Sequence, residues 1–322
     1  MGAGHTTAGR PRLHSFAIRP EGSPDLAAVK VAARAVGAVH QGCRFTFDEG
    51  QDTLPEMAQH LETYDVTTIR ASTRMYLLAR RVKAMGVKMV LSGEGADEVS
   101  GRYLYFHKAP SEQEFHEEMI RKLDALHLYD CLPANKSMRA WGVDPRVPFL
   151  DRECLDVAMS MDAAAKMAGG DRMEKGVLRG TFESYLPDSI LWCQNERFGD
   201  GLGYDWIDGV KTYGASQVSD RDIARAGSRF VIKPPQSREA YFYRRIFEQH
   251  FPDSASACTV PGGGIHCVFV VVGNRVGLEF CGRRRSVGGE PLPEFTTHHC
   301  SRALRSDVIG SRIREHGRQR NT

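Results

Sequence analysis

The sequence lacks a regular cysteine pattern, although it contains eight cysteines. No CxxC pair occurs, and the intervals between the cysteines are irregular. Zinc sites and disulfide frameworks both produce recurring spacings, so we expect neither, and no residue is assigned as a metal ligand. Free thiols are typical of a reducing compartment, which predicts a cytoplasmic protein.

Long hydrophobic runs are also absent. No stretch approaches the roughly 18 apolar residues of a membrane-spanning helix, and the first residues lack the apolar segment of a secretory signal, so we expect no membrane partner. The net charge is only +3, and a local excess of basic over acidic residues occurs in residues 264–322, which contain arginine but no lysine. That region lacks the aromatic interleaving typical of nucleic-acid binding, so we expect no nucleic-acid partner.

The sequence does contain alternating strand and helix patterns. Apolar segments at residues 13–18, 39–47 and 87–91 predict strands, the last of them buried, and helical periodicity at 26–36, 54–64 and 75–85 predicts helices. This alternation predicts a parallel α/β sheet with right-handed crossovers. From residue 113 the pattern is mostly helical, with predicted helices at 115–128, 134–141, 151–159, 175–185 and 237–251.

These patterns divide the chain into three predicted parts. Residues 1–12 are a flexible leader, and residues 13–263 form one domain, with an α/β part at about 13–110 and a mostly helical part at about 111–263. Residues 264–322 form a divergent basic tail without periodicity, which we expect to be disordered. A nucleic-acid arm and a metal site built from the histidines and cysteines of the tail are alternatives, but their spacing fits no zinc pattern.

One stretch, VLSGEGADEVSGRY at residues 90–103, concentrates small residues at the end of a predicted strand. In open α/β sheets, ligands bind beyond the carboxyl ends of the strands. Ser92, Gly93 and Gly95 let the backbone approach a ligand closely, and their N–H groups suit a phosphate or a carboxylate.

The same stretch carries three carboxylates, Glu94, Asp97 and Glu98. They would repel an anionic ligand unless Mg²⁺ or a substrate ammonium lies between. A site for ATP·Mg and an amino acid satisfies both demands. The alternative is a tight turn with a carboxylate-capped helix start.

Five segments together resemble the synthetase domain of glutamine-dependent asparagine synthetases. They are VLSGEGADEV at residues 90–99, YLYFHKAP at 103–110, ETYDVTTIRAST at 62–73, WGVDPRVPFLD at 141–151 and YLPDSILW at 185–192. The likeness runs in order, with nearly constant spacing, from Leu13 to about Gly263.

The resemblance implies an adenine nucleotide alpha-hydrolase-like fold of the ATP pyrophosphatase type, with a parallel sheet followed by a helical region. It implies an asparagine synthase that uses ATP and Mg²⁺ to activate aspartate as β-aspartyl-AMP, which ammonia then attacks. Glutamine would serve only if a glutaminase domain were supplied elsewhere, and a homodimer is compatible with the resemblance.

Matching positions imply roles for individual residues. Ile18, Ser92 and Gly93 would contact ATP. Glu94 would support the adenylated intermediate and its attack by ammonia, and Asp97 would hold the aspartate ammonium or the metal. Substrate or phosphate contacts are implied for Thr67, Arg70, Glu98 and Arg197. For Arg70 the alternative is a buried structural ion pair.

The sequence departs from the family where chemistry is expected. A glycine-rich loop of the type SGGxDS occurs nowhere, and a glutaminase domain is absent, so we expect an incomplete sheet and a nearly inactive isolated chain. Asn195 replaces a lysine, a loss of roughly 3–4 kcal/mol of electrostatic stabilisation for which Arg197 is the candidate compensation. Pro133 replaces an arginine, and Ser100 and Arg102 replace a phenylalanine and a glycine.

Two other functions stay open. A catalytically dead remnant or fragment could bind a nucleotide or a partner chain through the SGEG turn and an open sheet edge. Adenylating relatives such as β-lactam synthetases share the turn but activate a different carboxylate substrate. The segment ETYDVTTIRAST favours aspartate as the substrate of this chain.

Overall fold

We describe the fold from a computed structural model of the chain. The structure describes residues 13–19, 25–129, 131–169, 172–193, 204–261, 269–272 and 275–278. All of them lie in one compact unit, Met1–Cys281. The predicted leader and most of the predicted tail lie outside the described residues, so the three-part division of the chain stays a prediction.

The strands of the described residues form three pairs. β1 (His14–Arg19) pairs in parallel with β2 (Val39–Arg44), and β3 (Met89–Leu91) pairs in parallel with β4 (Asp144–Arg146). β5 (Phe269–Val272) and β6 (Arg275–Leu278) are antiparallel. Among the described residues no backbone pairing joins β1–β2 to β3–β4. Short parallel pairs in a mostly helical chain are consistent with the expected α/β class.

The α-helices of the described residues follow in chain order. They are α1 (Asp25–Ala35), α2 (Phe47–Asp52), α3 (Leu54–Leu61), α4 (Val66–Ala84), α5 (Ala96–Ser100), α6 (Glu112–Ala125), α7 (Cys131–Arg139), α8 (Arg152–Ser160), α9 (Ala163–Lys166), α10 (Gly176–Thr181), α11 (Asp188–Leu191), α12 (Tyr204–Ser216), α13 (Asp220–Ala224), α14 (Ala226–Arg229), α15 (Arg238–His250) and α16 (Ser254–Thr259). Single 3₁₀ turns occur at Leu104–Lys108, Leu126–Leu128 and Pro148–Leu150.

Local sequence signals set several helix ends. Thr46 and Glu49 form a reciprocal capping box at the start of α2. The Asp65 carboxylate accepts from the Thr68 N–H at 2.8 Å, and the Ser237 hydroxyl accepts from the Ala240 N–H at 3.1 Å, so these side chains cap α4 and α15. Gly37 has φ +68° just after α1, the left-handed backbone expected of a glycine stop.

Three expectations from the sequence were wrong in detail. The helix predicted at 75–85 starts nine residues earlier, at Val66, because Asp65 caps it. No strand was predicted between the helices at 134–141 and 151–159, but Pro145 lies there in β4, a strand paired on one side among the described residues, where proline is tolerated. β3 was predicted to be buried, but pairing with β4 leaves Met89 53% and Leu91 65% exposed.

The main core lies between α3, α4, α7, α12 and α15, where Ile69, Leu77 and Phe247 are fully buried. Both parallel strand pairs pack on this same core, through Ile18 of β1 and Val90 of β3. A smaller cluster of Phe106, Phe115 and Met119 supports the segment after α5. Within the described part of the chain, no helix has the length and apolar character needed to cross a membrane.

Candidate active site

The SGEG stretch forms the turn between β3 and α5. The Ser92 N–H donates to the Arg146 carbonyl at 2.8 Å, which extends the β3–β4 pairing by one bond. The Glu94 N–H donates to the Ser92 hydroxyl oxygen at 3.3 Å. The backbone thus fixes the turn at the carboxyl end of a parallel strand, where the sequence predicted it.

Glycine occurs at two positions of the turn for different structural reasons. Gly95 has φ +87°, and a Cβ there would collide with the Leu150 side chain, so only glycine fits. A Cβ at Gly93 would meet no atom within 4 Å. The backbone at Gly93 therefore faces open space, as a ligand-contacting backbone requires.

Asp97 lies one residue into α5 and contacts two cations. The Lys175 Nζ is 2.5 Å from Asp97 Oδ1, and an Arg102 guanidinium nitrogen is 3.3 Å from both carboxylate oxygens. Lys175 is mostly buried and adopts a left-handed backbone (φ 58°) just before α10. The three side chains place two positive charges and one negative charge beside the turn.

Lys175 is a site residue that the sequence did not reveal. The sequence predicts it only as the start of a helix. Nothing near Lys175 in the sequence marks it as a partner of Asp97, because the two residues come from distant parts of the chain. Arg102 lies five residues after Asp97, so its contact with that carboxylate is local.

Glu98 turns away from the open side of the turn. It is fully buried, and it accepts a hydrogen bond from the Tyr103 hydroxyl. This contact ties α5 to the 3₁₀ turn that follows it. A contact between Glu98 and a substrate stays a prediction.

The other predicted site residues lie on separate elements. Arg70 of α4 forms a bidentate ion pair with buried Glu239 of α15, with Nε 2.8 Å from Oε1. This is the buried ion pair considered as the alternative for Arg70, so its ligand role stays a prediction. Ile18 is buried in the main core, and Thr67 is exposed in the first turn of α4. Among the described residues, no hydrogen bond or ion pair joins these three residues to the turn.

Arg197 and Asn195 lie outside the described residues, so their predicted relationship stays a prediction. Pro133 lies in the first turn of α7, where its missing N–H leaves no helical hydrogen bond unmade. Among the described residues, no group of three or more His, Cys, Asp or Glu side chains is arranged to hold a metal ion.

Parallel strand pairs packed on helices, with an open and charged turn at the carboxyl end of β3, define an α/β protein whose turn lies where such proteins bind ligands. The family described as asparagine synthase matches residues 3–114 and 108–263 of this sequence. The chain therefore belongs to the asparagine synthase family, a family of carbon–nitrogen ligases.

Curated relatives carry the same family name. The chain is 57% identical over 253 residues to "Asparagine synthetase B [glutamine-hydrolyzing]" of Escherichia coli (strain K12), covering 79% of this chain and 46% of the relative. It is 54% identical over 258 residues to "Asparagine synthetase [glutamine-hydrolyzing]" of Asparagus officinalis, covering 78% and 44%. For "Asparagine synthetase [glutamine-hydrolyzing] 1" of Arabidopsis thaliana the identity is 52% over 259 residues, covering 79% and 44%. The chain thus spans about half the length of these relatives.

Proposed function

We propose that this chain is the synthetase part of an ATP-dependent ligase that forms asparagine from aspartate and ammonia. The observation that carries the proposal is the SGEG turn, with its open backbone at Gly93, in a chain that matches the asparagine synthase family over residues 3–263. The names of the relatives support the choice of asparagine as the product.

The proposed reaction has two steps. An oxygen of the aspartate side-chain carboxylate attacks the α-phosphorus of ATP, the bond to the β-phosphate oxygen breaks, and pyrophosphate leaves. Ammonia then attacks the acyl carbon of β-aspartyl-AMP, AMP leaves with the electrons of the acyl–oxygen bond, and the new amide nitrogen loses a proton. Adenylation supplies the good leaving group that a free carboxylate lacks.

The turn residues receive the central roles in this proposal. The Ser92 hydroxyl and the Gly93 backbone contact the nucleotide, since Gly93 leaves room for close approach. Glu94 supports the acyl intermediate and takes a proton from the attacking nitrogen. Asp97, held by Lys175 and Arg102, binds the aspartate ammonium and keeps both cations beside the phosphates.

Further contacts to the nucleotide, substrate or phosphate are proposed for residues on other elements and for the buried Glu98. Ile18 would contact the nucleotide at the end of β1. Thr67, Arg70, Glu98 and Arg197 are the proposed secondary contacts to substrate or phosphate.

Mg²⁺ fits the residues of the turn. It usually binds one or two carboxylates together with waters and substrate phosphates, so a dedicated cluster is not needed. Asp97 is the carboxylate that would hold either Mg²⁺ or the aspartate ammonium, and Glu94 keeps the role of taking the proton. When bound, Mg²⁺ neutralises the charge of the ATP phosphates.

For the fold we propose the adenine nucleotide alpha-hydrolase type. In this arrangement β1–β2 and β3–β4 belong to one parallel sheet that a further strand would complete between them. Packing of both pairs on one core supports this, as do the exposed side chains of Met89 and Leu91. The protein would act in the cytoplasm, alone or as a homodimer, and glutamine would supply the ammonia only together with a glutaminase part.

The pairing of β3 on one side, with β4, among the described residues favours a second candidate function. A chain without the completing strand could pair in this place with a strand of another protein and bind without catalysing. A fully folded monomer in light scattering, with β3 protected from hydrogen exchange, would argue against this candidate.

Calorimetric titration of ATP·Mg into the full chain, with aspartate present, tests the proposed function. We expect binding in the micromolar range that Glu94→Ala weakens and that Glu112→Ala, at an exposed glutamate of α6, leaves unchanged. An ATP·Mg affinity that stays the same in Glu94→Ala, or in a variant whose turn is disrupted, would contradict the assignment of the site.

A further inference from the structure

A cavity of about 390 Å³ opens beside the turn, between the end of α5 and the helices α8, α9 and α10. Its volume lies at the small end of the range for sites that bind small molecules. Apart from Lys175, its lining residues have no role in the proposed ligase chemistry.

The lining of the cavity is mainly apolar. Val99, Phe149, Val157, Met161 and Leu178 contribute to it from four different segments. Val157 is 61% exposed, and α8 has no fully buried residue among Arg152–Ser160. This apolar surface is therefore available to the hydrocarbon part of a ligand.

One buried cation lines the same cavity. Lys166 is only 7% exposed, and its Nζ donates to the Ala158 carbonyl at 2.7 Å. Its partner among the described residues is this neutral carbonyl rather than a carboxylate, although buried lysines are usually paired with an opposite charge. Burial lowers the pKa of Lys166, as expected for an ammonium without a neutralising charge. An ammonium has three donors, so two are left for an anion.

The other charges at the cavity do not supply that anion. Lys175 also lines the cavity, but its ammonium contacts Asp97. Glu153 is exposed, so solvent screens its carboxylate. An anion inside the cavity would therefore be the charge that neutralises the Lys166 ammonium.

We propose that this cavity binds a small amphiphilic carboxylate, with its hydrocarbon chain between α8 and α10 and its carboxylate on the Lys166 ammonium. Binding there would not require that the chain is a ligase. A medium-chain fatty acid has this chemistry, and sodium octanoate is a suitable probe.

The half-buried thiol of Cys154 lines the cavity and reports on its occupancy. The full chain is alkylated with N-ethylmaleimide with and without octanoate, and the rates at Cys154 and at exposed Cys258 are followed by peptide mass spectrometry. We expect octanoate to slow the reaction at Cys154, by about tenfold at ten times its dissociation constant, and to leave Cys258 unaffected.

Two variants and one neutral probe test the role of the charge and of the cavity. Lys166→Met should weaken octanoate binding by about tenfold or more, since a hydrogen bond to a charged group is lost. Ala158→Leu should weaken it by filling the cavity, whereas Lys211→Met, at an exposed lysine of α12, should not. 1-Octanol should protect Cys154 less than octanoate does.

Three results would overturn the proposal. The first is equal alkylation rates at Cys154 and Cys258, which would show that the cavity does not form. The second is equal protection by octanol and octanoate, which would leave an apolar cavity without an anion site. The third is unchanged octanoate protection in both Lys166→Met and Ala158→Leu.

Discussion

The Lys175 ammonium lies 2.5 Å from the Asp97 carboxylate, although the two residues come from distant parts of the chain. Arg102 approaches the same carboxylate from within the SGEG segment at 3.3 Å. Asp97 thereby holds two cations beside a turn that carries a further carboxylate, Glu94. ATP is strongly anionic, and part of the positive charge that would attract it to this region comes from Lys175.

Lys175→Met should therefore weaken ATP·Mg binding. Removing one cation beside the proposed phosphate site costs about 1.4 kcal/mol, or roughly tenfold in affinity, and the loss should shrink as salt is added. Calorimetry at low and high salt measures both effects. Lys211→Met is the matched control, and an equal loss in the two variants would remove Lys175 from the site.

The glycines of the turn should respond differently to alanine. Gly95→Ala combines a left-handed backbone with a collision against Leu150, and it should lower the free energy of unfolding by about 2–4 kcal/mol. The methyl group added by Gly93→Ala enters open space, so the free energy of unfolding should change by less than about 0.5 kcal/mol. Urea denaturation compares the two variants. A large loss of unfolding free energy for Gly93→Ala would mean that Gly93 does not face open space.

Gly93→Ala should nevertheless weaken ATP·Mg binding, since the added methyl group lies where the ligand approaches the backbone. The same calorimetric titration measures this. Unchanged affinity in a folded Gly93→Ala variant would show that the nucleotide does not contact this part of the turn.

Local signals made much of this fold predictable. Gly37 marks the end of α1, Ser237 marks the start of α15, and the SGEG turn follows an apolar strand directly. Pairing between distant segments has no such signal. β4 was missed because Pro145 lies in a sequence that otherwise separates helices, and Lys175 was missed because nothing in its neighbourhood points to Asp97.

The burial of Lys166 predicts a pH dependence of stability. Its folded-state pKa is lowered from 10.5, so between the two values the unfolded chain binds more protons, and the free energy of unfolding rises with pH there. Lys166→Met lacks this titration. It should thus be more stable than the unchanged chain at neutral pH, and the difference should narrow as pH rises towards 10.5.

Urea denaturation at several pH values measures that difference, with Lys211→Met as the control. A stability difference between Lys166→Met and the unchanged chain that stays constant with pH would mean that Lys166 is not held in a desolvated position.

Asn195 offers a test of the departure from the family. The chain can be fused to the part of the Escherichia coli relative that it does not match, since it covers 46% of that relative. In this extended chain Asn195→Lys should raise the rate of asparagine formation by about a hundredfold, since it restores a cation facing developing phosphate charge. A rate increase that appears only in the Arg197→Ala background would show that Arg197 already supplies the charge, and no increase in either background would show that position 195 is remote from the phosphates.

The products that this extended chain forms from ATP, aspartate and ammonia test the proposed ligase reaction most directly. Only preparations that unfold cooperatively are used. We expect asparagine, AMP and pyrophosphate in equal amounts, with a rate that Glu94→Ala lowers by about a hundredfold or more and Glu112→Ala leaves unchanged. ADP in place of AMP, or no asparagine from a folded chain that binds ATP·Mg, would contradict the proposed reaction.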